Sequence, residues 1–320
     1  MSKSRLAINI FSVLMVCLGL ASASMGQDGP SPMAVPRAFV STHGSDTNPC
    51  TASSPCRSFN QALTVVSPGG EIIVQDSGGY STGATISFGV TIDSGGFNAS
   101  MINTAAGDLL TIAAGPTDTV VLRGLSFHGA NLGTNGINAS SVGSLYLEHC
   151  SFNEFTNDDV KFASSGNLVV GDGDVRRAGH DGIEVAPASG SATAYIHHSY
   201  FTKCGNAGLA AGPNSVVSVV HSAAANSGIG FLSSTTNASN ADLTLTDCHA
   251  VENTTGVEAS ASGGGGAVLR FAYCLITQNT TGVSTSGGSG TINGSAPGTS
   301  VVAGNGTNIS GSLGSGMTLQ

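Results

Sequence analysis

Apolar residues recur along this chain in short alternating runs, and the runs themselves repeat. Segments such as "LYLEHC", "LTLTDC" and "LRFAYC" place an apolar side chain at every second position, the pattern of a strand with one buried face. After each run and a turn comes a second apolar position, set just behind a Gly or a small polar residue. These positions are Ile137, Val160, Ile183, Leu209, Ile229, Val257 and Val283, at steps of 23, 23, 26, 20, 28 and 26. An independent ladder closes the alternating runs at Leu125, Cys150, Gly173, Ser199, Ser222, Cys248 and Cys274, at steps of 25, 23, 26, 23, 26 and 26. Two ladders with one shared period predict a solenoid.

A leucine-rich repeat would need a dense Leu-x-x-Leu-x-Leu pattern, which is absent. Strand-length runs separated by Gly, Asn and Ser turns fit a parallel β-helix instead. The expected fold is therefore all-β, a single-stranded parallel β-helix of roughly 9–10 coils, about 45 Å long at the interstrand spacing. One coil cannot bury its inward residues alone, and an open end is a sheet edge that needs a cover. The stretch "SPCRSFNQALTVVSPGG" supplies one: Phe59, Ala62, Leu63 and Val66 form one face of a short capping helix within 57–67. Ser67-Pro68-Gly69-Gly70 should end it, and "EIIV" at 71–74 should start the first strand.

The termini read differently. Lys3 and Arg5 precede an apolar run from Leu6 to Leu20, and Ala21-Ser22-Ala23 offers a cleavage site. That is an export signal over 1–23, too short to span a membrane. Residues 24–36, with three prolines, read as a linker, 37–311 as the β-helix domain and 312–320 as a disordered tail. The expected location is secreted, periplasmic or cell-surface. Removing the signal leaves eight basic residues against nineteen acidic ones, a net charge of −11. A nucleic-acid partner is excluded, because phosphate binding needs clustered Lys and Arg.

Six cysteines remain after the signal. Cys50 and Cys56 flank a turn-forming insert, and in an oxidising compartment they are the expected disulfide. Cys248 and Cys274 share one inward position on adjacent coils and are expected as free, packed thiols.

With the opening "FVSTHGSDTNPCTASSPCRSFNQAL", then "GGEIIVQDSGGY", then coils of the "VVLRGLSF…NGI" type, the chain resembles bacterial exported right-handed parallel β-helix proteins of the pectin-lyase-like fold. The resemblance implies a right-handed coil over nearly all of the mature chain. The subgroup it most resembles carries no assigned function. The wider fold includes pectin lyases, polygalacturonases, adhesins and phage tailspikes, so fold alone does not decide activity.

Two stretches concentrate the charge: "FTNDDVKF" (155–162) and "RRAGHDGIEV" (176–185). Resemblance to polygalacturonases, which place aspartates and a histidine on successive coils, singles out Asp158, Asp159, His180 and Asp181 as candidate catalytic residues. Arg176 and Arg177 are candidate ligand-binding residues. The match departs from the family pattern: Asn135 stands for the first Asp, Asp181 follows His180 where Gly is expected, and no Arg-x-Lys follows. Turn geometry alone also favours Asp and Asn at these positions. A further set, His149, Asp172, His198, His221 and Asp247, precedes the second ladder and should form an outward stripe. It reads as a solvated polar face, because no ligand-spacing motif supports a metal there.

Three functional readings follow. The first is an exported non-enzymatic β-solenoid that binds a polysaccharide or cell-surface glycan along its long face. The second is a polysaccharide hydrolase or lyase using the 158–181 patch. The third is a structural or metal-binding surface protein. No cofactor is expected, and calcium enters only under the lyase reading.

Overall fold

Alternation inside each short run becomes alternation between core and surface in the computed structural model, which describes residues 34–294 and 300–313. The export signal over 1–23, most of the linker and residues 314–320 of the tail lie outside the described residues. Three parallel sheets, of eleven, ten and ten strands, wind around one core. One coil runs from Ser144–Glu148 in the first sheet through Ser151–Asn153 in the second to Val160–Phe162 in the third. The next coil starts at Asn167–Gly171, in parallel register with Ser144–Glu148. Inward columns are apolar on every face. Phe127 and Phe152, on successive coils of the second sheet, stack with ring centroids 4.8 Å apart and planes 5° from parallel.

Sharp corners let so few residues make a coil. Between the first and second sheets the chain turns through one residue in the left-handed region. His149, Asp172, His198, His221, Asp247 and Tyr273 all have φ between 49 and 57°. The next residue, Cys150 to Cys274 in the second ladder, is buried in every coil. A second left-handed corner follows the second sheet, at Glu154, Arg177, Lys203, Asn226, Glu252 and Gln278.

Behind that second corner, polar side chains bridge the coils. Asn279 Oδ1 accepts from the Asn253 peptide N–H at 2.9 Å, Asn305 Oδ1 from that of Asn279 at 3.0 Å, and Asn253 Oδ1 from that of Ser227 at 3.0 Å. Asn253 and Asn279 head Asn-Thr-Thr triplets, but both are buried. They serve the backbone and are closed to glycosylation.

The expected cap forms as Phe59–Val65. Ser58 is its N-cap and accepts from the Gln61 N–H at 3.2 Å. Asp46 fixes that cap, accepting from the peptide N–H groups of Arg57 and Ser58, both at 2.9 Å. Two boundaries differ from expectation. Val66 leaves the helix to begin the strand Val66–Val74. Val35 and Pro36, read as linker, open the strand Val35–Val40, which pairs with Val66–Val74. Ser67-Pro68-Gly69-Gly70 forms the irregularity between the two paired stretches, Val35 with Val66 and Arg37 with Glu71. Cys50 and Cys56 form the disulfide beside this end, with Cα atoms 4.6 Å apart. Cys150, Cys204, Cys248 and Cys274 are free and buried.

One ladder position moves. Leu209 pairs with Phe231, and Phe231 with Val257, so Phe231 fills the inward column; Ile229 pairs with Ala207 and Thr255. Phe231 is fully buried, whereas Ile229 is half-buried in a small side cluster with Ala207, Ala210 and Leu232. Among the described residues, no helix is long and apolar enough to cross a membrane.

Candidate functional site

Asp158 and Asp181 occupy the same place on successive coils, just before the third sheet. The tight entry to that sheet leaves a peptide N–H on each coil facing its neighbour, and a short side chain with an acceptor oxygen satisfies it. Asn135 Oδ1 accepts from the Asp158 N–H at 3.2 Å, Asp158 Oδ1 from the Asp181 N–H at 3.1 Å, and Asp181 Oδ1 from the Ala207 N–H at 2.8 Å. The two aspartates thus do the work that asparagine does one coil earlier. They are 1 % and 2 % exposed.

His180 joins them from the surface, half exposed. Its Nδ1 lies 3.2 Å from Asp158 Oδ1 and 3.1 Å from Asp181 Oδ2. Burial raises both carboxyls; for Asp181 the result is about 6, although His180, the Ala207 N–H and Asn206 all favour its charged form. Residues outside the expected set complete the surroundings. Lys161 Nζ is 3.7 Å from Asp158 and 2.8 Å from Glu184. Asn206 donates to Asp181 at 2.8 Å. The signal for Lys161 and Glu184 was present as a matched spacing, three residues after Asp158 and Asp181.

Asp159 does not belong to this group. It points into the core, is 0 % exposed, and neither carboxyl oxygen has a hydrogen-bond partner. Burial therefore holds its carboxyl far above the ordinary range; the Arg176 peptide opposes this and the neighbouring charge of Asp158 adds to it, but burial dominates. The position is a Gly on six other coils, at 136, 182, 208, 230, 256 and 282.

The arginines also separate. Arg177 sits at a left-handed corner and pairs with Glu154 of the preceding coil at 2.7 Å. Arg176 lies on the outer face of the second sheet, 2.6 Å from Asp174. There it lines a cleft of about 540 Å3 with Asp172, His198, Tyr200, Lys203 and Asn226. Tyr200 is 62 % exposed.

These arrangements bear on chemistry. One donor atom each from Asp158, His180 and Asp181 fall within 4.8 Å of one another. An inverting hydrolase holds its two carboxyl groups about 6.5–9.5 Å apart to admit water, so this closely packed pair does not provide that geometry. Calcium takes six to eight oxygen ligands; two carboxylates already bonded to backbone, beside the Lys161 ammonium, do not fit it.

Residues 135–296 match the family model described as right handed beta helix region. The chain belongs to that family. Its fold is shared with a pectate lyase, Pel9A, at 15% identity and a TM-score of 0.59, covering 90% of this chain and 78% of that one. An alginate lyase from Paenibacillus sp. str. FPU-7 is similar at 14% identity and a TM-score of 0.66, over 87% of this chain and 99% of the other. XylC, in a complex with xylose, aligns at 8% identity and a TM-score of 0.55, over 81% and 70% of the two chains. No curated protein matches the sequence.

Proposed function

We propose that this protein is an exported, non-enzymatic β-solenoid that binds polysaccharide, with the cleft around Tyr200 as its contact point. The observation that supports this reading is the contrast between two sites. Asp158 and Asp181 are buried and committed to the backbone of the next coil. The cleft on the second sheet is open and offers an exposed aromatic ring beside Arg176, Lys203 and Asn226. Aromatic faces pack on sugar rings while amide, guanidinium and carboxylate groups meet hydroxyls. Affinity electrophoresis against acidic and neutral polysaccharides tests it. Wild-type protein should be retarded by at least one polymer and Tyr200→Ala should not; equal retardation of both would place binding elsewhere.

A second reading, a polysaccharide lyase, draws support from the likeness in fold to a pectate lyase and an alginate lyase. His180 would then serve as the base and Lys161 would face the substrate's carboxylate. Appearance of unsaturated products, lost in His180→Ala, would favour it over binding.

A further inference from the structure

The corner between the first and second sheets carries His149, Asp172, His198, His221 and Asp247 on five consecutive coils. Left-handed backbone explains those residue types, since His and Asp tolerate it better than most. It does not explain His197. That residue ends the extended strand Ala192–His197 and lays its ring over Gly171 of the preceding coil, where a Cβ would come within 2.8 Å of the ring. Its Nδ1 faces the Nδ1 of His198 at 3.1 Å. Two ring nitrogens at that distance need either one shared proton or one cation between them.

The spacing suits the cation. Imidazole nitrogens bind zinc at about 2.0–2.1 Å, so two on one ion, at an angle between square and tetrahedral, stand about 3 Å apart. The surroundings hold the pair in place. The His221 ring stacks on His198 at 5.2 Å, with planes 9° apart, and its Nε2 is 3.2 Å from Asp247. Asp172, on the coil before, adds negative charge on the other side and pairs with His149 at 3.5 Å. Two cations, Arg176 and Lys203, line the cleft that His198 also borders, and there Asp174 engages Arg176.

We propose that His197 and His198 form a surface site for a first-row transition-metal ion, held through their two Nδ1 atoms with water at the open positions. Imidazole donors select zinc, nickel or copper over calcium and magnesium. Protons compete with a metal ion for imidazole nitrogens, so binding should be weaker in acid than near neutral pH. The site does not depend on glycan binding and is tested without any glycan present.

The experiment is calorimetric titration of the folded protein with Zn2+ and with Ni2+ at about pH 7.5 and about pH 5, alongside Cu2+ paramagnetic resonance to count nitrogen donors. One equivalent should bind near pH 7.5, with nitrogen hyperfine structure from two donors. His197→Ala and His198→Ala should each weaken it by about tenfold or more, and His180→Ala should leave it unchanged. Circular dichroism of each variant separates loss of a ligand from loss of fold, and His197→Gln repeats the test with a conservative change. Absence of saturable binding, survival of binding in either alanine variant, or loss in His180→Ala would overturn the assignment.

Discussion

Six coils place Gly one residue before the inward apolar position of the third sheet, and the coil at 155–162 places Asp159 there. A buried polar group without a partner costs about 1–3 kcal/mol. Asp159→Gly should therefore stabilise the protein by about that amount at neutral pH, read by denaturant unfolding. The sign with pH follows from the raised carboxyl. In the unfolded chain Asp159 ionises in the ordinary carboxyl range, while in the folded chain it stays protonated well above it. Stability relative to the variant is thus lost as pH rises out of the acid range, and the gap between the two proteins should narrow toward pH ~3. Asp181 behaves alike over a narrower window. Its carboxyl rises from 3.8 to about 6, so its unfavourable contribution develops between those values. Asp181→Asn should remove that dependence and keep the fold, because Asn135 already bridges two coils through an amide oxygen. Asp181→Ala should cost about 1–3 kcal/mol, since the Ala207 N–H loses its acceptor.

At the scale of elements, strand pairing decides between residues that the sequence leaves equivalent. "SGIGF" offers two apolar residues two apart, both behind a Gly. Reading Ile229 as the inward residue produced steps of 20 and 28, whereas the observed Phe231 restores a period close to that of the second ladder. Phe231→Ala should cost about 3–5 kcal/mol and Ile229→Ala no more than about 1 kcal/mol, measured by equilibrium unfolding; the reverse order would contradict the register. The same limit applies to "NDD". Asp158 and Asp159 look alike in sequence, but strand alternation turns one toward the surface patch and the other into the core. The period, the capping helix and the corner stripe were legible because each rests on local pattern. The bulge after Val66 and the added strand Val35–Val40 rest on pairing between distant segments and were not. The Cys50–Cys56 disulfide closes the loop beside the capped end, and its removal in Cys50→Ser/Cys56→Ser should cost about 2–4 kcal/mol, toward the lower value for so short a loop.

At the largest scale, the stacked coils of the described residues present long faces on which charge is sparse and locally concentrated. The stretch "RRAGHDGIEV" is divided among three surroundings: Arg176 in the open cleft, Arg177 at a corner beside Glu154, and His180 and Asp181 against Asp158. Proximity in sequence overstated their unity, because the chain leaves the second sheet, turns a corner and enters the third sheet within those residues. The fold is shared with enzymes that cleave polysaccharides, but a fold hosts many activities and the site decides among them. The most direct measurement compares wild-type protein with Tyr200→Ala and Asp181→Asn on one panel of acidic and neutral polysaccharides, scoring retention, new reducing ends and unsaturated products together. Polysaccharide binding at the Tyr200 cleft predicts retention that Tyr200→Ala loses and Asp181→Asn keeps, with no products from any of the three. Products formed by the wild-type protein and absent with Asp181→Asn would contradict it and make the 158–181 patch an active site.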